Sequence, residues 1–167
     1  MVQRCIEKIH SPTFGMLDDN DFMRRVAYVM SDFGRDTRNI GYGGIWQLSE
    51  IAFKDTLDTS AHLRLPGKYE RIYKAYGIDW TTVKYTDLIK PFYSALAARL
   101  YMSNSPKLLP PTSDVQEQAM HWKFQYMRGS GDIENFKRKT YELKDGKGRP
   151  KAPGDEGARS GRGRECG

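Results

Sequence analysis

A single, mainly helical domain followed by a basic, unstructured tail is the architecture that this sequence predicts. Three observations lead to it. Apolar residues recur at helical spacing in successive segments between residues 20 and 143. No segment shows a convincing alternation of apolar and polar residues, although a short strand within 36–44 stays open as an alternative. The composition then changes at Lys144, beyond which Gly, Pro, Lys and Arg dominate and apolar residues almost vanish.

The helices follow in order. Residues 20–31 carry Phe22, Val26 and Val29 on one face, with Asp18, Asp19 and Asn20 available as caps. After Gly43-Gly44, residues 45–54 present Ile45, Leu48, Ile51 and Ala52. Residues 67–76 place Tyr69, Ile72, Tyr73 and Tyr76 at i, i+3, i+4 and i+7, and Gly77 supplies a helix stop. Pro91 suits the first turn of a helix running to Met102, with a stripe of Phe92, Leu96 and Leu100 flanked by Tyr93, Ala97 and Tyr101. Ser113-Asp114-Val115-Gln116 has the capping-box pattern and precedes a helix with Val115, Ala119, Trp122 and Tyr126 on one face. A last helix covers Asp132 to Leu143. The domain is therefore read as 1–143 and the tail as 144–167.

Bulk properties narrow the function classes. The 167-residue chain is 38% apolar with a mean hydropathy of −0.71, and no run approaches the roughly 20 apolar residues of a membrane span. Met1 to His10 contains no apolar core of a signal peptide. Cys5 and Cys166 lie near opposite ends and read as two free thiols, with a terminus-to-terminus bridge as the alternative that nothing in the sequence supports. The net charge of +6 suits an acidic partner, but the tail, with seven Lys/Arg against four Asp/Glu, carries half of it. Arg159-Ser160-Gly161-Arg162-Gly163-Arg164 is similar to short arginine-glycine tails, so nucleic acid is a partner only through that segment; a solvated chain end is the plainer reading. His10, His62 and His121 are scattered without metal-ligand spacing, no glycine-rich phosphate loop is present, and Ser31 has no evident histidine partner. No metal or cofactor is expected, and the chain is read as a monomer.

Three segments stand out. Met30-Ser31-Asp32-Phe33 closes the first predicted helix, Tyr42-Gly43-Gly44-Ile45-Trp46-Gln47 follows a loop, and Trp122-Lys123-Phe124-Gln125-Tyr126-Met127 precedes Gly129 and Gly131. Together they resemble the active-site frame of the lysozyme-like superfamily, the goose-type lysozymes and soluble lytic transglycosylases. In that family a helix ends in Glu-Ser-x-Phe, a Gly-Leu/Ile-x-Gln segment opens the next helix, and a late aromatic motif ends in Tyr-Asn. Over residues 20–135 the chain is similar to invertebrate lysozyme-like proteins, through those segments and through Glu50-Ile51-Ala52-Phe53, Asp55-Thr56, Gly77-Ile78-Asp79-Trp80 and Pro91-Phe92-Tyr93-Ser94-Ala95-Leu96-Ala97-Ala98-Arg99-Leu100.

The resemblance implies a lysozyme-like helical domain with an active-site cleft that recognises peptidoglycan or a chitin-like glycan, peptidoglycan being favoured. It also implies a secreted protein. Ser31, Tyr42, Gly43, Gly44, Trp46, Gln47, Tyr126 and Met127 would line the substrate groove, with Tyr42 and Trp46 at least partly exposed. Met30 stands where the family has its catalytic Glu, and Met127 where it has Asn. Breaking a glycosidic bond requires a carboxylic acid over the leaving oxygen, which a thioether cannot replace. Weak or absent catalysis is the expectation. Two alternatives remain: an active muramidase or lytic transglycosylase using Glu50 or Asp36, and a non-catalytic basic interaction protein that inherits the scaffold. Asp32, about 200° round the helix from Met30 if the helix continues, is read as a solvated surface group.

Overall fold

The computed structural model describes residues 1–10, 19–38 and 41–144. Seven helices occur among them: α1 (Val2–Ile9), α2 (Phe22–Ser31), α3 (Glu50–Asp55), α4 (Leu65–Tyr76), α5 (Pro91–Asn104), α6 (Val115–His121) and α7 (Ile133–Lys144). Tight 3-10 turns at Gly44–Trp46, Trp80–Thr82 and Tyr85–Ile89 join them, and no strand is present among the described residues. None of these helices is long and apolar enough to cross a membrane. The segment read as a tail, Cys166 within it, lies outside the described residues apart from Lys144, as does the candidate cap Asp18.

Helix α5 forms the centre. Every residue from Ser94 to Met102 is buried, not only the expected stripe. Such burial on all sides marks a helix enclosed by others. Around it lie α1, α2, α3 and the turns at 44–46 and 85–89, while α7 packs on α2 and α6. The N-terminal helix α1 was not expected from the sequence, yet Val2, Cys5, Ile6 and Ile9 form a full apolar stripe and are all buried. The Tyr76 hydroxyl donates to the Lys8 carbonyl over 2.6 Å, and the Lys8 ammonium sits 4.4 Å from the Phe92 ring centre, so α4 and α5 hold that end.

Local chemistry explains most boundaries. The carboxylate of Asp19 accepts from the Asp21 and Met23 amides and caps α2. Gly77, at φ 68°, ends α4 where expected. Several ends move by two residues, and two boundaries shift for a reason the hydrogen bonds show. The helix expected over 45–54 is a 44–46 turn followed by α3, because Gln47 adopts φ 45° and the Ser49 hydroxyl then caps a new helix by accepting from Ala52 N–H. At α6 the cap is Asp114, which accepts from Glu117 N–H, one residue later than a box begun at Ser113. Beyond His121 the backbone widens into a π-helical turn over Trp122–Tyr126, closed by Met127 N–H to Trp122 C=O at 2.8 Å.

Candidate functional site

The three segments that carry the resemblance meet at one short piece of backbone. The Ser31 hydroxyl, at the end of α2, donates to the Ile45 carbonyl over 2.6 Å and accepts from Gly34 N–H at 2.9 Å. From the other direction, the Tyr126 hydroxyl donates to the Trp46 carbonyl over 2.7 Å. Successive carbonyls of the 44–46 turn are thus taken by α2 and by the π-turn. Below them, Ser94 of α5 donates to the Gly43 carbonyl at 2.7 Å and accepts from Trp46 N–H at 3.1 Å. Neutral hydroxyls in a buried setting fix geometry well here, because the backbone groups they serve have no water to turn to.

This junction requires unusual backbone. Gly43 and Gly44 have φ of 90° and 70°. A Cβ on Gly44 would lie 1.9 Å from the Leu88 carbonyl oxygen, so only glycine fits between the turn and the end of the 85–89 segment. Asp32, Phe33 and Gly34 follow one another at φ 50°, 57° and 83°. Helix α2 therefore stops at Ser31, and Asp32 does not continue round it. Instead Asp32 caps the helix with its N–H and holds Arg35 at 2.6 Å. Phe33, a non-glycine residue in left-handed backbone, stacks 5.1 Å from the Tyr28 ring.

Each candidate residue now has a place. Met30 and Met127 are half-buried and pack against the hydrophobic core, each directly beside one of the two hydroxyl residues that grip the turn. Tyr42 is 69% exposed, in line with the expectation, whereas Trp46 is wholly buried. Its ring N–H donates to the Met23 carbonyl at 2.9 Å, which corrects the expectation that it would be partly exposed: the turn drives the indole inward against α2. Ser31, Gly43, Gly44 and Tyr126 are also buried, and act on the neighbouring backbone. Burial pushes the Tyr126 phenol well above its ordinary range, so it stays a hydrogen-bond donor. Gln47 is half-buried at the exit of the turn.

The two carboxylates considered as replacement acids are placed differently. Glu50 is exposed in the first turn of α3, 3.9 Å from Lys54. Asp36 is anchored through its amide to the Ser31 carbonyl, but its side chain pairs with Arg38 at 2.6 Å. Hydrogen bonds from Arg38 hold its carboxyl down at about 2, opposite in direction to what a proton donor needs.

A cavity of about 180 Å³ beside this junction was missed in the sequence. Tyr126 shares it with Phe22, Asp55, His121 and Gln125. Asp55 is organised there by His62, at 2.8 Å, and by the Asn104 side-chain amide. Burial and nearby Lys107 lower the His121 imidazole, favouring its neutral form. Only the Asp55-Thr56 pair hinted at this grouping, since its members come from four separate stretches of chain. Among the described residues no cluster of three or more His, Cys, Asp or Glu could hold a metal. Comparison of the chain with protein-family models, curated proteins and solved structures gives no match.

Proposed function

We propose that this chain is a lysozyme-like protein that recognises peptidoglycan, or a related β-1,4 amino-sugar polymer, with little or no glycosidic cleavage. The observation that carries the reading is the convergence of the 30–33, 42–47 and 122–127 segments on the Ile45 and Trp46 carbonyls. That convergence is what the resemblance leads one to expect of a substrate-groove frame. Within it, exposed Tyr42 and half-buried Gln47 are the side chains with access to a sugar ring, and Met30 and Met127 offer apolar contact without a proton. Asp36, held anionic by Arg38, does not supply the missing acid.

The experiment compares this chain with Met30→Glu on insoluble peptidoglycan, measuring both sedimentation with the wall and loss of turbidity. Both proteins are expected to bind. Only the variant is expected to clear the suspension, with a gain of about 10²–10⁴-fold, the usual contribution of a positioned general acid. The half-buried apolar setting of position 30 would raise a carboxyl there in the useful direction. Binding by neither protein would overturn the reading, and rapid clearing by the parent chain would overturn its catalytic half.

A further inference from the structure

A groove of about 790 Å³ runs between α4, the C-terminal part of α5 and the 105–109 segment. Its lining includes Arg64, Lys68, Arg71, Arg99 and Lys107, with no carboxylate among the described residues. Helical geometry explains the first three. Positions 64, 68 and 71 are spaced i, i+4, i+7 and share one face of α4, covering about 10 Å of its length. Arg99 comes from the buried wall of α5, and Lys107 from the chain after it.

Lys68 ties the two walls of the groove together. The Lys68 ammonium donates to the Ser103 hydroxyl at 2.8 Å and to the Ser103 carbonyl at 3.2 Å, which fixes it across the groove from α5. Among the described residues, no carboxylate lies within 4 Å of Arg64, Lys68 or Lys107. Asp19 acts on Arg99, and its oxygens also accept from two backbone amides. Burial, then Arg64, Arg99 and Arg71, push the Lys68 ammonium toward its neutral form. Like charges gathered in this way oppose folding, and a bound anion relieves them.

We propose that this groove binds an anionic polysaccharide, through sulfate or phosphate groups carried on a sugar chain. The length of the cationic face suits more than one charged group. Its concavity and volume suit a ligand held in a cleft. Among the described residues no Phe, Tyr, Trp or His lines it, so these residues offer no stacking platform of the kind with which single-stranded nucleic acids are held. The site is separate from the 44–46 junction and does not depend on the reading of that junction.

The test measures affinity of the full chain, at about 150 mM salt, for a sulfated hexasaccharide, its desulfated counterpart, a phosphorylated hexasaccharide and an oligonucleotide of equal charge. Three proteins are compared: the parent, Lys68→Gln/Arg71→Gln, and the control Lys54→Gln/Lys74→Gln, which removes the same charge from exposed helix surface. Thermal unfolding checks that each remains folded. The sulfated or the phosphorylated hexasaccharide is expected to bind the parent, the uncharged counterpart is not, and the stronger of the two names the source of the anion. The groove variant is expected to lose at least about tenfold, and the control less than about twofold. Equal loss in both variants, binding unchanged in the groove variant because the segment beyond Lys144 supplies the affinity, or tighter and groove-dependent binding of the oligonucleotide, would overturn the proposal.

Discussion

Ser94 offers the sharpest test of how the 42–47 segment is held. Its hydroxyl is fully buried and serves two backbone groups at once, the Gly43 carbonyl at 2.7 Å and the Trp46 amide at 3.1 Å. Ser94→Ala deletes a single oxygen from α5 and deprives both groups of that partner. A buried backbone group left without its bond costs about 1–3 kcal/mol, so the pair is expected to cost about 2–4 kcal/mol. For a chain of this size that corresponds to a fall in Tm of roughly 5–15 °C. Alanine is an excellent helix former, so propensity adds nothing to the loss. Urea unfolding followed by circular dichroism gives the free-energy change, with Ser130→Ala as control. The Ser130 hydroxyl also donates to a carbonyl, that of Met127, but in an exposed turn where water replaces it. The control is expected to change stability by less than about 0.5 kcal/mol. A loss below about 1 kcal/mol for Ser94→Ala would refute the view that this hydroxyl holds the turn.

Other consequences follow from the same geometry. Gly44→Ala places a methyl 1.9 Å from the Leu88 oxygen and 2.8 Å from Ser94 Cβ at φ 70°. It is expected to cost more than about 4 kcal/mol, and a folded variant melting within a few degrees of the parent would contradict the packing. Asp36 is held down at about 2 by Arg38, so its share of stability is present above the unfolded carboxyl range, near about 3.9, and is lost as pH falls through about 2. Carboxyl NMR titration should show that midpoint, and Arg38→Gln should return it toward the ordinary range. Burial first, and then the 2.7 Å bond to Glu142, raise the Tyr28 phenol to about 12. Its contribution is present below about pH 10 and lost as pH rises toward about 12. Ultraviolet titration of Glu142→Gln should find the Tyr28 midpoint lower than in the parent yet still raised, because burial remains.

The sequence alone determined the helical character and the ends marked by local chemistry. Gly77 at the close of α4, Pro91 at the opening of α5 and the Val115, Ala119, Trp122, Tyr126 face could all be read from spacing and from residues with strong backbone preferences. The stripe in α1 was equally present, and its charged neighbours concealed it. Other features depended on the tertiary structure. Periodicity cannot reveal that α5 is enclosed on every side, because that depends on which helices surround it. Nor can it reveal that Trp46 turns inward to the Met23 carbonyl, or that Ser31 and Tyr126 close on adjacent carbonyls from segments 95 positions apart. The helix expected over 45–54 failed for the same reason: Gln47 leaves helical backbone because the 44–46 turn is clamped by α2, α5 and the π-turn together. Local preference sets which helices form. Long-range hydrogen bonds and packing decide where they stop and which side chains the candidate site can present.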